Sequence, residues 1–328
     1  MVKYRQQQGD VMPMGAIDTE AKAYLSSPDK VADAFNYWVY GGRDVIKPEG
    51  LTPLDTTAIV LPYGNDTKKP IQKIRDVLKL YTAMKDNQAY YLMLGIEIQA
   101  ETHYALPVRN MLYDAMSYAQ QVSDIATEHR KNKDKMVSGE FLSGLKREDR
   151  LMPVITLVIS LNTEAWNGPL TLHEMLAVEN KELLTFVPDY RLNLLAPDKI
   201  EDFGKFRTEL GVLFECIKHK QDDNMDWMEG KEHFRHVNRN TASLIKTVTG
   251  FDIFLDEEGD VVDMMNAWEN GLNQARNAGY ADGESKGWDS AMVSNIRNLM
   301  ETSGWDARQT MDALKIPANE QEKYEKQI

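Results

Sequence analysis

The feature that most constrains this chain is an apolar stretch, residues 89–99, that ends in a carboxylate and an amide. With the alternation of a β-strand, one of its faces is wholly apolar: Tyr90, Leu92, Leu94, Ile96 and Ile98. The other face begins as core and ends in Glu97 and Gln99. A carboxylate in a buried strand is costly unless another group compensates its charge. The stretch therefore predicts a core strand whose last residues form the candidate functional site.

The segment before this strand predicts the other half of a hairpin. The apolar spacing from Ile71 to Thr82 fits either a helix or a strand. Asp86 and Asn87 suit a two-residue turn, which favours the strand. With that turn, Asp76 lies directly across from Glu97. Two carboxylates there repel each other, and a divalent cation between them would remove that cost. A register shifted by one residue would place them on opposite faces instead.

The surrounding pattern predicts an α/β core. A helix is expected from Pro28, with one apolar face, ending at Gly41 and Gly42. Another is expected from Pro107 through Val122, followed by a charged loop over residues 128–150. The nearly continuous apolar run 152–161 is typical of a central strand covered on both faces. Residues 1–20 are expected to be a flexible tail, and residues 21–250 the main domain, with a helical extension from about residue 199.

The remaining residues, 251–328, are predicted to form a helical C-terminal module after an acidic, turn-like segment at 256–260. Small residues recur every four positions: Gly271, Ala275, Gly279, Gly283 and Gly287. They indicate either a helix face that another backbone approaches closely or a flexible linker, because each glycine costs helix stability. Two short helices are expected at about 290–302 and 306–315. Self-association through this module is the preferred interpretation, and a DNA-binding helix-turn-helix the competing one.

The composition limits the classes of function. The chain has 328 residues and a net charge of −13, which argues against a protein that binds nucleic acid over its whole surface. A local basic groove is still possible, and four basic residues flank the expected site: Arg75, Lys79, Lys146 and Arg147. The competing interpretation is solvated surface charge. The polar N-terminus, the single Cys216 and the lack of a long apolar run predict a cytoplasmic protein.

The candidate catalytic residues are Asp76, Glu97 and Gln99. Carboxylate oxygens suit Mg²⁺, which is typically held by one or two carboxylates with water and substrate phosphate. Such a cation activates water and stabilises charge on a phosphoryl oxygen, and Gln99 could orient that water. Two strand-end acids in solvent would be the alternative interpretation.

Several stretches extend this interpretation beyond the three site residues. They include Leu-Gly-Ile-Glu-Ile-Gln at 94–99 and His-Tyr-Ala-Leu-Pro-Val-Arg-Asn-Met-Leu-Tyr-Asp at 103–114, with others at 31–36, 54–57, 75–79, 141–144, 153–158 and 311–317. With them, the region from about 24 to 187 resembles the Rpn family of recombination-promoting nucleases and putative transposases (YhgA-like). That family is a branch of the PD-(D/E)XK nuclease superfamily. The resemblance covers about half of the chain.

The resemblance implies a restriction-endonuclease-like core, a central mixed sheet flanked by helices, with an α-helical C-terminal extension. It implies an Mg²⁺-dependent DNA endonuclease that hydrolyses phosphodiester bonds and is associated with DNA recombination. Asp76 and Glu97 would bind the metal, Gln99 replaces the usual lysine, and Asp33 is a possible accessory residue. The alternative is a catalytically degenerate nuclease fold that acts as a DNA- or protein-binding assembly module. The net charge of −13 and Gln99 favour that alternative.

Overall fold

The computed structural model describes residues 14–54, 57–60, 71–74, 76–85, 88–178, 180–222, 224–256 and 259–328. The chain divides into two compact units. The first contains Met1–Phe251 and Leu255–Met265, and the second contains Asp252–Phe254 and Asn266–Ile328.

The first unit is built on a five-stranded mixed sheet in the order β1-β4-β5-β6-β7. Its strands are β1 (Leu51–Pro53), β4 (Val77–Lys85), β5 (Gln88–Gln99), β6 (Val154–Ser160) and β7 (Asn193–Leu195). Pairing is antiparallel from β1 to β5 and parallel from β5 to β7. The predicted α/β class is therefore confirmed. The apolar run 152–161 does contain an internal strand, and its Leu157, Val158 and Ile159 are fully buried.

The β4–β5 hairpin has the register that a two-residue turn requires. Val77 pairs with Ile96 at one end and Lys85 with Gln88 at the other. Asp76 comes directly before β4, so the same register continues to a position opposite Glu97. The predicted single strand from Ile71 is interrupted, because β3 (Ile71–Ile74) pairs with β2 (Thr57–Val60) in a separate sheet. Asp86 and Asn87 of the predicted turn lie outside the described residues.

Seven helices are described in the first unit: α1 (Met14–Leu25), α2 (Pro28–Tyr40), α3 (Leu106–Asn132), α4 (Ser138–Ser143), α5 (Lys181–Leu184), α6 (Leu210–Lys218) and α7 (Arg239–Thr249). A two-stranded sheet of β8 (Val237–Asn238) and β9 (Val261–Val262) completes the unit. The predicted helix from Pro28 is confirmed, and Gly41 ends it with φ +64°.

Two predicted loops are partly helical. Residues 14–20, expected to be a tail, belong to α1, which buries Ala21 and Leu25 and hydrogen-bonds to α7 through Tyr24 and Thr241. Similarly, α3 continues past Val122 to Asn132, and α4 lies within the segment expected to be a charged loop. The extension of α3 beyond Val122 could not be predicted from apolar periodicity, because its sequence is polar and periodicity weakens where a helix leaves the core.

The second unit contains α8 (Met264–Ser303) from Asn266 onward, α9 (Ala307–Ala313) and α10 (Ala318–Glu325). Its core is an apolar cluster of Val293, Ile296, Met311, Ile316 and Tyr324. The glycine-containing stretch is continuous helix, so the flexible-linker interpretation is wrong. The predicted short helix at 290–302 is the end of α8. None of the helices in the described part of the chain combines the length and the apolar character of a membrane span.

Candidate functional site

Glu97 lies near the end of β5 and is 1% exposed. Its Oε2 accepts a hydrogen bond from Nη2 of Arg109, at 2.8 Å, in an ion pair. Arg109 comes from the first turns of α3, which packs on the sheet face that carries Glu97. Farther along the same helix, Gln121 contacts Met93, four residues before Glu97 on the same face of β5. A guanidinium group therefore compensates the charge that the sequence left without a partner.

Asp76 is held by the backbone of β5. Its Oδ2 accepts a hydrogen bond from the N–H of Ile98 at 2.9 Å. The carboxylate thus takes the place of a backbone carbonyl just beyond the last β4–β5 pair. The Ile98 N–H and the guanidinium of Arg109 therefore offset the repulsion expected between Asp76 and Glu97.

Gln99 is the last residue of β5 and is 7% exposed. Its Nε2 donates a hydrogen bond to the carbonyl oxygen of Ile98 at 2.7 Å. Because the side-chain nitrogen is bonded to a backbone carbonyl, this bond fixes the orientation of the Gln99 amide.

A cavity of about 560 Å³ lies at this end of the sheet. It is formed by α1, by Asp76, by the end of β5 with the loop that follows it, and by α3. Its lining residues are Asp18, Thr19, Lys22, Asp76, Ile98, Gln99, Ala100, Glu101, Thr102, His103 and Arg109. Two nitrogen atoms of this lining, Nδ1 of His103 and Nε of Arg109, are buried and have no hydrogen-bond partner within the described ranges. The structure therefore brings Asp76 and Gln99 to one cavity with Arg109. Sequence reasoning did not assign Lys22 or Arg109 to the site, and it favoured a plain surface position for His103 over one facing a phosphate.

The donor set suits Mg²⁺ in its chemistry. Asp76 and Glu97 offer hard carboxylate oxygens and Gln99 an amide oxygen, and Mg²⁺ commonly takes only one or two carboxylates from a protein. Within the part of the chain that is described, no group of three or more His, Cys, Asp or Glu side chains is arranged to hold a metal ion. Asp76 lies on the cavity, whereas Glu97 is buried, is not among the described residues of its lining and pairs with Arg109.

The other predicted site residues lie elsewhere. Lys79 is only 7% exposed, and the β4 alternation puts it on the sheet face opposite to Asp76. Its assignment to an open DNA groove was therefore wrong. Lys146 pairs with Asp134 at 2.9 Å, and Arg147 is exposed. Neither is among the described residues that line the cavity. Arg75 lies outside the described residues.

Asp33 has a structural role in the fold. It is 3% exposed and lies on α2, where its carboxylate accepts the backbone N–H groups of Arg207 and Thr208 and the Thr208 hydroxyl. These bonds fix the segment that leads into α6. The prediction that Asp33 is an accessory site residue is not supported by this placement, because it is also absent from the described lining of the cavity.

A charged cluster lies where α3 ends. His129 contacts Asp134 through Nδ1 at 2.5 Å and Asp149 through Nε2 at 2.8 Å. Hydrogen bonds to Asp134 and then Asp149 raise the pKa of His129. For Asp134 and for Asp149, the hydrogen bond with His129 is the largest cause of a lowered pKa. This cluster holds the segment after α3 against the helix end.

A larger cavity, of about 1140 Å³, lies among α1, α2, α6 and α7. Several polar side chains of its lining form hydrogen bonds with one another. Tyr24 bonds with Thr241, the Thr241 hydroxyl donates to Glu209, and the Ser243 hydroxyl donates to Glu20. Burial raises the pKa of the Tyr24 phenol. These bonds join α1 to α6 and α7, and we assign them to the fold.

Comparison of the chain with protein-family models, curated proteins and solved structures gives no match.

Proposed function

We propose that this protein is a metal-dependent DNA endonuclease of the PD-(D/E)XK type that hydrolyses phosphodiester bonds. The observation that carries the proposal is the β4–β5 register, which brings Asp76 next to the strand end that contains Glu97 and Gln99. The resemblance to the Rpn nucleases implies two such acids, one from the second and one from the third strand of a mixed sheet flanked by helices; here Asp76 directly precedes β4 and Glu97 lies on β5. The resemblance also adds the association with DNA recombination.

In this proposal Asp76 and Glu97 hold Mg²⁺, which would lower the pKa of a bound water and stabilise negative charge on a phosphoryl oxygen. The residues of the chain have separate tasks. Asp76 is positioned by the N–H of Ile98, and Gln99 offers its amide oxygen to orient a water. Arg109 balances the charge of Glu97 and lies on the cavity, where it faces the substrate.

A plasmid-nicking assay tests the proposal. The wild-type protein should nick supercoiled DNA in Mg²⁺ and not in EDTA, and both Asp76→Asn and Glu97→Gln should abolish nicking. Glu148→Gln is the matched control, because Glu148 is an exposed acid outside the cavity lining. Circular dichroism melts of each variant separate loss of activity from loss of fold. Unchanged nicking by a folded Glu97→Gln protein would refute the assignment.

We also propose that Lys146 and Arg147 contact DNA. Because the protein has a net charge of −13, its DNA contact must be made by a local group of basic residues. Removing both charges should weaken DNA binding and reduce its salt dependence, since each phosphate contact releases counterions. Equal affinity and equal salt slope in a Lys146→Met, Arg147→Met protein would place the DNA contact elsewhere.

The second candidate is an assembly module, and α8 is the observation that favours it. Residues 272–288 are helical yet all exposed, and Gly279, Gly283 and Gly287 have no atom near their would-be Cβ positions among the described residues. An isolated polar helix with three interior glycines has little to stabilise it. We propose that a second copy of the chain packs on this segment.

Gly283→Leu tests this second proposal in the full chain. A Cβ at position 283 has no atom of the described residues within 4 Å, so the substitution should leave the fold intact and disrupt a close approach by another backbone. Light scattering should then show a smaller assembly than wild type. An unchanged mass would contradict self-association at this face, and an unchanged mass with weakened DNA binding would favour the helix-turn-helix.

A further inference from the structure

We propose that Lys22, His103 and Arg109 form a phosphate-binding subsite in the cavity beside Asp76 and Gln99. Its ligand is a phosphate group of a nucleic acid strand. The identity of the strand rests on the proposed function, whereas the subsite itself rests on the geometry of the cavity. Its volume of about 560 Å³ lies within the usual range of small-molecule sites.

The three side chains come from three different elements. Lys22 lies on α1, His103 on the loop after β5, and Arg109 on α3. All three line the same cavity. Basic groups from separate parts of the chain can surround a ligand on several sides. Consecutive basic residues on one surface segment contact a ligand from one side only.

Arg109 is anchored on one side and offers donors on the other. Glu97 accepts from Nη2, while Nε is buried and has no partner in the described part of the structure. The side chain remains 29% exposed. A guanidinium carries five N–H donors in a planar fork that matches the oxygens of phosphate. Glu97 thus acts as the positioning residue for Arg109 in this subsite.

His103 and Lys22 supply the remaining donors. Nδ1 of His103 is buried and unpartnered within the described ranges, which is unusual for a polar atom in a folded protein. The Lys22 ammonium makes no ion pair among the described residues, although several other lysines of the unit do. An oxyanion in the cavity would satisfy these groups together.

Three carboxylates, Asp18, Asp76 and Glu101, line the same cavity. They oppose an anion and therefore limit the affinity for free phosphate. Free inorganic phosphate should bind more weakly than a phosphate that a nucleotide chain also holds. Mg²⁺ should strengthen binding, because it neutralises carboxylate charge next to the subsite.

Calorimetric titration of the full chain tests the subsite directly. The probes are a 5′-phosphorylated thymidine dinucleotide, inorganic phosphate and thymidine, each in EDTA and in Mg²⁺. We expect the phosphorylated dinucleotide to bind in both, inorganic phosphate to bind more weakly, and thymidine not to bind. Binding of thymidine equal to that of the phosphorylated dinucleotide would overturn the proposal.

The variants are Lys22→Met and His103→Ala, with Lys135→Met as the control, because Lys135 is exposed and outside the cavity lining. Each cavity variant should weaken dinucleotide binding by about tenfold, the effect of one charged hydrogen bond. Lys22→Met should also make dinucleotide binding less dependent on salt, because it removes one ionic contact with the phosphate, and a purely structural change does not do this. Equal affinity of the cavity variants and wild type, or an equal loss in Lys135→Met, would refute the subsite.

These outcomes are separate from those of the nuclease proposal. Binding is measured in EDTA without cleavage, so a protein that binds the phosphorylated dinucleotide but does not nick DNA supports the subsite and refutes the nuclease. A protein that nicks DNA while Lys22→Met and His103→Ala bind normally refutes the subsite and supports the nuclease.

Discussion

Replacing Arg109 by methionine removes the cation that compensates the buried carboxylate of Glu97. Removing one partner of a buried ion pair costs about 3–5 kcal/mol, because the other charge stays buried without compensation. Here Glu97 is 1% exposed, but the Arg109 side chain is 29% exposed, so water solvates part of the pair. We therefore expect Arg109→Met to lower the free energy of unfolding by about 2–3 kcal/mol, just below that range.

The second variant in this test is the double substitution Arg109→Met, Glu97→Gln. A neutral amide at position 97 does not need a cation, so the double variant should recover most of the stability that the single one loses. Together with Glu97→Gln alone, the proteins form a double-mutant cycle that isolates the coupling between the two side chains. The assay is urea unfolding at neutral pH, followed by tryptophan fluorescence and circular dichroism.

Two results would refute this reasoning. If Arg109→Met changes stability by less than about 0.5 kcal/mol, as a surface substitution does, the guanidinium does not compensate Glu97. If the single and double variants lose the same stability, the loss comes from packing of the arginine stem and not from charge. Lys135→Met, which removes an exposed charge, sets the background.

Three further predictions concern stability. Asp33→Ala removes the acceptor of the Arg207 and Thr208 N–H groups and should cost about 2–4 kcal/mol in urea unfolding, whereas the exposed Asp29→Ala should cost less. The His129 cluster should stabilise the fold most between about pH 4 and 6.5, since its histidine pKa is raised from 6.5 and its aspartate pKa values are lowered from 3.8. This contribution should fall as pH rises through the raised pKa of His129 and as pH falls through the lowered pKa values of the aspartates; a thermal-melting profile that His129→Gln leaves unchanged would contradict it. Gly271→Ala should destabilise α8, because the new Cβ would lie 1.7 Å from the carbonyl oxygen of Asp252. Gly279→Ala places its Cβ more than 4 Å from any atom of the described residues, and it should stabilise the helix by about 1 kcal/mol. Thermal melts followed by circular dichroism test this contrast, and equal melting of the two variants would refute it.

The sequence was informative where a local rule determined the structure. A two-residue turn fixes the register of its hairpin, and β4 and β5 follow that register. The same alternation already places Lys79 and Asp76 on opposite faces, so the signal against Lys79 was present.

Arg109 could not be assigned from the sequence for a different reason. Its contact with Glu97 depends on which side of the sheet α3 packs and at what height, and both are set by tertiary packing. Lys22 was missed because α1 has a weak apolar pattern; among residues 17–25 of this helix only Ala21 and Leu25 are buried. Asp33 was misassigned because its partners are backbone N–H groups more than 170 residues away in sequence.

The uninterrupted α8 has a consequence for how the second unit responds to thermal fluctuation. The helix is held near its start, where Phe254 donates its N–H to the Ala267 carbonyl, and near its end by the cluster around Ile296. Between these anchors, every side chain of residues 272–288 is exposed. Such a segment opens locally at far lower free energy than the packed ends. Its amide hydrogens should exchange with solvent first, and a protease should cleave there first, so slow exchange in this stretch would itself reveal that something covers it.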